Sequence, residues 1–271
     1  MNRIIRPHPR PWASRRLVCL GFAGGGTVGF RPWARQLPVD VELRALCYPG
    51  RESRFGDRVT GGWQGLLDDC VEALRSEVRS PYVLYGHSMG ALVAYEAARV
   101  LQERGAEGPE SLVLSGHIAP QHWTGTGSAA LAGAPDEDLA SWLEATGGVP
   151  RAVLADPDLR SLAVDLLRMD MEAYSSYRYR PGERLRAAIH LMVGEAELSP
   201  LHEGWAELTD GPFSQEVLPG GHFFTPRVWG ALPRHMPVFA GAAGAAGAAG
   251  AAGAAGAAGA AATAGVAGVA G

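Results

Sequence analysis

An α/β fold is what this sequence predicts: a mostly parallel central sheet, helices on both of its faces, and a helical insertion. Three observations carry that expectation. Short apolar runs rich in β-branched and aromatic residues alternate with stretches of helical spacing. The strand-like Pro81-Tyr82-Val83-Leu84-Tyr85 passes through Gly86-His87-Ser88-Met89-Gly90 straight into 91–101, a strong helix former without Gly or Pro. Between residues 120 and 187 the strand pattern stops and helical stretches follow one another.

Taken in order, residues 1–15 are rich in Pro and Arg and are expected to be loosely ordered. Arg16-Leu17-Val18-Cys19-Leu20-Gly21-Phe22 reads as a buried strand that runs into the flexible turn Ala23-Gly24-Gly25-Gly26. Residues 30–37 suggest a short helix, and 41–48 a second strand closed by Pro49-Gly50. From Trp63 to Val78 the apolar residues fall at 63, 66, 67, 70, 71, 74 and 78, one face of an amphipathic helix. After the 81–101 unit come strands at 111–116, 188–194 and 215–218. Within the insertion, Pro135-Asp136-Glu137-Asp138 opens a helix with acids in its first turn, which suits the helix dipole. Asp156-Pro157-Asp158 opens another, with Asp156 as N-cap and Pro157 at the first helical position, running to about Tyr174. An insertion of this kind, about residues 120–187, suits a lid over a substrate chamber; plain helical decoration is the alternative. The folded unit is placed at 16–239.

From residue 240 the chain is almost wholly Ala and Gly, and 240–271 is expected to be a disordered tail. Gly at every third position costs a helix roughly 1 kcal/mol each relative to Ala, and no large side chain is available to bury. The spacing matches collagen, but no Pro follows Pro237.

Composition excludes several classes. The net charge of −4 gives no reason to expect a nucleic-acid partner, and all 24 basic residues are Arg. Cys19, Cys47 and Cys70 are widely spaced in apolar stretches without a metal pattern, as buried free thiols of a reducing compartment would be. Ser14-Arg15-Arg16-Leu17-Val18 is superficially a twin-arginine signal, but its apolar run is short and dissolves into Gly24-Gly25-Gly26 without a cleavage site. A core strand is the better reading, and with it a cytoplasmic protein without a membrane span.

Strand, Gly-x-Ser-x-Gly, helix is the context of a nucleophile elbow, which projects the Ser88 hydroxyl at the sheet edge. Ala23-Gly24-Gly25-Gly26 is not a phosphate loop: no Lys-Ser/Thr follows, and the Gly-x-Gly-x-x-Gly spacing is absent. It suits an oxyanion loop, in which the N–H of Ala23 joins that of Met89. A serine nucleophile needs a base, and the base needs an orienting acid. His222, in Pro219-Gly220-Gly221-His222-Phe223-Phe224 just past the last strand, has both the position and the setting. His87 should point away from the site, His190 is mid-strand, and His117, His122 and His202 have no supporting context. The acid is Glu197, three residues past Gly194, with Glu195 as the alternative.

The stretches 17–25, Phe30-Arg31-Pro32-Trp33, Tyr48-Pro49-Gly50-Arg51-Glu52-Ser53-Arg54, Gly86-His87-Ser88-Met89-Gly90-Ala91, Tyr177-Arg178-Tyr179-Arg180-Pro181 and 219–224 together resemble the type II thioesterases, the stand-alone editing enzymes of polyketide and nonribosomal peptide assembly lines. The resemblance runs from about Arg16 to Trp229. It implies an α/β-hydrolase fold with a helical lid, and hydrolysis of acyl groups stalled on the phosphopantetheine arm of an acyl or peptidyl carrier protein. A Ser-His-acid mechanism needs no metal or diffusible cofactor, the charge and the short apolar run speak for neither nucleic acid nor membrane as partner, and a monomer is expected. The chain departs from the family in two places. Gly21-Phe22 stands where Pro-His is frequent, and Glu197 where Asp is usual. A small-molecule esterase on the same fold and a non-catalytic carrier-binding module are the competing readings.

Overall fold

The computed structural model describes residues 2–239; the Ala/Gly stretch expected to form a disordered tail lies outside the described residues. One seven-stranded sheet is formed by β1 (Ile4–Ile5), β2 (Arg15–Leu20), β3 (Val41–Leu46), β4 (Tyr82–His87), β5 (Ser111–Ser115), β6 (Ala188–Gly194) and β7 (Phe213–Leu218), in the order β1-β3-β2-β4-β5-β6-β7. Neighbours run parallel except β1, which is antiparallel to β3. From β2 the chain moves outward to β3, then returns so that β4 lies on the other side of β2. Such a reversal opens a crevice beyond the carboxyl ends of β2 and β4, the usual ligand site of an open parallel sheet.

The helices are α1 (Gly62–Glu77), α2 (Met89–Glu103), an insertion of α3 (Thr126–Ala132), α4 (Asp136–Thr146), α5 (Arg151–Ala155) and α6 (Pro157–Ser175), and α7 (Pro226–Ala231). Because both faces of the sheet are covered, its central strands carry consecutive apolar residues, Leu17-Val18-Cys19-Leu20 in β2, Tyr82-Val83-Leu84-Tyr85 in β4 and Leu112-Val113-Leu114 in β5. Alternate residues serve different cores. Leu17, Cys19, Val83 and Tyr85 pack with Phe30, Trp33 and Leu232. Val18, Leu20, Leu84 and Leu112 pack with residues of α1, α2 and α6 on the other face. The periodic residues 63, 66, 67, 70, 71 and 74 are the buried stripe of α1.

α2 is buried almost all round, and its two buried charged residues pair within it: Arg99 Nη1 lies 3.2 Å from Glu96 Oε2. Tyr177 donates to Glu96 at 2.7 Å and Arg99 to the Arg180 carbonyl at 2.9 Å, so the Tyr177–Arg180 stretch straps the chain leaving α6 onto α2. Asp156 caps α6, accepting from the N–H groups of Asp158 and Leu159 at 3.0 Å each.

Two expectations need correction. The short helix expected at 30–37 is a 3-10 segment, Val28–Arg35, with Pro32 inside it; proline has no N–H to continue an α-helical ladder. The N-terminus is not loose where it meets β3. Ile4 and Ile5 pair with Leu46 and Ala45, and the Arg10 guanidinium donates to the carbonyls of Ala34, Pro38 and Val41. The three cysteines are buried and free. No helix among the described residues is long and apolar enough to cross a membrane.

Candidate active site

Ser88 sits between β4 and α2 with φ 56° and ψ −124°, a conformation that costs a non-glycine residue energy and is held by its surroundings. Both flanking glycines are dictated by space. A Cβ on Gly86 would lie 2.2 Å from the Gly90 carbonyl, and one on Gly90 would lie 2.4 Å from the carbonyl of Leu20 and 2.5 Å from that of Gly21. The turn is therefore tight in itself and pressed against the end of β2, where the Ala23 loop begins. Ser88 N–H donates to the Ser115 carbonyl at 2.8 Å, which fixes the elbow to β5 as well. Among the described residues, the N–H groups of Ala23 and Met89 have no hydrogen-bond partner. For Met89 that is the normal state of a first helical residue, whose N–H points out of the helix end.

His222 and Glu197 come from the loops after β7 and β6, and those loops touch. Gly194 packs so closely that a Cβ there would lie 2.3 Å from the Gly221 carbonyl, and Ala196 N–H donates to the Gly220 carbonyl at 3.0 Å. That splice brings His222 Nδ1 to 2.8 Å from Glu197 Oε1. A carboxylate only accepts, so Nδ1 carries the proton and Nε2 is left as a base. Burial raises the Glu197 carboxyl, but the hydrogen bond and the charge of His222, with smaller contributions from His202 and His117, hold it below the usual carboxylate range. Glu195 is exposed.

Ser88, His222 and Glu197 all line one chamber of about 650 Å³, mostly apolar, roofed by Leu131, Trp142, Met171 and Tyr174 of the insertion. Ser88 and His222 are not hydrogen-bonded to each other here; such contacts often tighten only when substrate is bound.

His87 points away from the chamber, as expected. It is fully buried, with Nδ1 2.8 Å from Ser115 Oγ and its ring 5.0 Å from that of His222. Burial, reinforced by His222, keeps it well below the ordinary histidine range and therefore neutral. Its ring, with Phe22, Phe223 and Trp229, forms an aromatic wall beside His222.

His117 and His202 line the chamber although nothing in their sequence context singled them out. His117 lies two residues past β5, and strand ends on that edge face the crevice, so its position was a usable cue; His202 offered none. The His117 Nδ1–H donates to the Ile118 carbonyl, leaving Nε2 to accept from the Tyr174 hydroxyl. Tyr174 stacks on Trp123 at 4.6 Å, which makes this pair a firm wall of the chamber. Burial lowers the His117 imidazole to about 4.

The sheet order, the strained serine turn and the insertion after β5 make this an α/β-hydrolase fold. Within it the chain belongs to the thioesterase domain family, whose profile matches residues 15–229. It is 32% identical over 215 residues to the gramicidin S biosynthesis protein GrsT of Aneurinibacillus migulanus, covering 78% of this chain and 83% of that one. Thioesterase PikA5 of Streptomyces venezuelae is 32% identical over 83% of this chain and 81% of its own length. The solved structure of the type II thioesterase BorB from the borrelidin biosynthetic cluster superposes with a TM-score of 0.75 at 32% identity, covering 86% of this chain and 96% of that chain. The protein is a hydrolase acting on thioesters.

Proposed function

We propose that this thioesterase is a stand-alone editing enzyme, its catalytic unit residues 16–239, which removes acyl groups from the phosphopantetheine arm of an acyl or peptidyl carrier protein in the cytoplasm, as a monomer. The observation that carries the reading is the 2.8 Å contact between His222 and Glu197 in the wall of an apolar chamber that Ser88 also lines. The likeness to a type II thioesterase of a biosynthetic cluster supports the substrate class.

In the mechanism we assign, Glu197 holds His222 Nδ1–H so that Nε2 accepts the Ser88 proton. Ser88 Oγ then attacks the thioester carbonyl, and the N–H groups of Ala23 and Met89 stabilise the oxyanion. Collapse breaks the C–S bond; the pantetheine sulfur leaves with the proton from His222 as a thiol. Water, deprotonated by His222, attacks the acyl-Ser88 ester, and collapse returns Ser88 and the free acid. Each oxyanion donor is worth about 10²–10³ in rate, and no metal or cofactor enters the scheme.

The test is hydrolysis of acetyl-, propionyl- and hexanoyl-carrier protein by the wild type and Ser88→Ala. Turnover that vanishes in the variant is the expected result. Free esters cleaved far better than carrier thioesters would point to an esterase. Carrier binding without turnover, and without fluorophosphonate labelling of Ser88, would leave a binding module.

A further inference from the structure

The Tyr48–Arg54 stretch takes no part in the mechanism above, yet its side chains converge on the one segment of the site that should be floppy. Three consecutive glycines follow Ala23. An oxyanion donor is useful only if it is fixed before the charge develops, so something outside that run has to hold it. Tyr48 donates from its hydroxyl to the Gly21 carbonyl at 3.1 Å. The Arg51 guanidinium donates to the Gly25 carbonyl at 2.6 Å and grips Asp170 with both Nη atoms, at 2.9 and 2.6 Å. Asp170 Oδ2 in turn accepts from the Gly24 N–H at 2.7 Å. Glu52 accepts from the Thr27 N–H at 2.6 Å and from its hydroxyl at 2.5 Å.

The peptide groups on both sides of Ala23 are thus tied down while its own N–H stays free. Packing agrees: Gly24 is left-handed, at φ +77°, with Leu167 of α6 3.3 Å from where its Cβ would be, and a Cβ on Gly26 would strike the Glu52 carboxylate at 2.3 Å. Arg51 and Asp170 are 2% and 0% exposed at their side chains. A pair so deeply buried roughly breaks even against an apolar replacement in stability, so stability alone does not account for it. Holding the Gly24 N–H and the Gly25 carbonyl of a glycine run does.

We propose that Arg51, Asp170 and Glu52 are positioning residues that set the oxyanion hole by clamping the Ala23–Thr27 loop to cap helix α6. The proposal rests on the reading of Ala23 as an oxyanion donor.

The test uses the double variant Arg51→Met/Asp170→Leu, which removes both charges together and so leaves no orphaned ion to unfold the protein, alongside Glu52→Ala and Glu52→Gln. Three quantities are measured: kcat and KM on acyl-carrier protein, the rate of fluorophosphonate labelling of Ser88, and affinities for two acyl analogues. One analogue is a trifluoromethyl ketone, whose serine adduct puts an oxyanion in the hole; the other is a thioether that forms none. The double variant should keep its melting temperature within a few degrees and its KM within about threefold. Its kcat, its labelling rate and its trifluoromethyl ketone affinity should each fall about 10²-fold, the worth of one oxyanion donor. Thioether affinity should not move. Glu52→Ala should show a smaller loss, rescued by Glu52→Gln, which can still bond both Thr27 groups. Unchanged labelling and ketone affinity would overturn the proposal, as would a parallel fall in thioether affinity, which marks general collapse of the site. Wild-type labelling without carrier turnover would remove the carrier reading, while the variants' labelling rates would still decide the role of the clamp.

Discussion

The floor and the roof of the chamber are held in different ways. The floor is made at the carboxyl ends of β2, β4, β5 and β6, strands whose residues are almost all buried between two cores. The roof is made by the insertion, and its outer helices are thinly anchored: α5 buries no residue and α3 only Ser128. α4 buries Leu139, Ala140 and Leu143, and α6 is bound most deeply, through a stripe that includes Leu167, Asp170 and Tyr174. The difference follows the demands on each part. Chemistry requires reacting atoms fixed within fractions of an ångström, whereas enclosing an apolar acyl group requires only adaptable surface.

If that division is right, floor variants should abolish turnover and roof variants should redirect it. The largest effect is expected from Ser88→Ala, a fall in kcat of at least about 10⁴-fold without loss of carrier binding, read by single-turnover hydrolysis. Next is Glu197→Ala, with a loss of about 10³-fold as His222 loses its orientation. Glu195→Ala should stay within about twofold, and a large loss there would move the acid to that residue.

A third effect appears in stability. His117 titrates at about 4 in the folded protein because it is buried, against 6.5 as its ordinary value. Above pH 6.5 it is neutral in both states. Between 6.5 and 4 the unfolded chain takes up a proton that the folded chain refuses, so stability falls as pH falls, by up to about 1.4 kcal/mol per pH unit. Below 4 both states are charged and the slope ends. The total is on the order of 3 kcal/mol, and neutral, buried His87 adds in the same direction. His117→Gln, which can still accept from Tyr174, should flatten this part of the urea-unfolding profile; an unchanged profile would assign the acid sensitivity elsewhere.

The smallest effect belongs to the roof. Leu131→Phe should lower kcat/KM for hexanoyl-carrier protein about tenfold relative to acetyl, since a hydrophobic pocket discriminates by only about 1–3 kcal/mol per group. Equal losses on both substrates would place Leu131 in the chemistry instead of the binding wall.

The same contrast separates what could be read in the sequence from what could not. The floor is written in local patterns: apolar runs for the strands, Gly86 and Gly90 around Ser88, and Gly-Gly before His222. The N-cap of α6 was equally legible, because Asp156 and Pro157 act on their immediate neighbours. β1 was not, since two residues have no periodicity and pair only with a distant strand. Nor was the partnership of Arg51 with Asp170, 119 positions apart, or the place of His202 in the chamber wall. Such contacts arise from how the elements pack, and no spacing along the chain encodes them.

Asp170 also marks where this enzyme can be cut and rejoined. It belongs to the roof by sequence and to the floor by bonding, so the insertion is not a single interchangeable module. A chimaera that trades residues 126–155 for another enzyme's outer cap leaves the buried carboxylate and its arginine in register. One that takes α6 as well imports a foreign residue opposite Arg51 and strands its charge. The graft boundary that respects the wiring lies between Ala155 and Pro157, a capped helix start that closes on itself through Asp156.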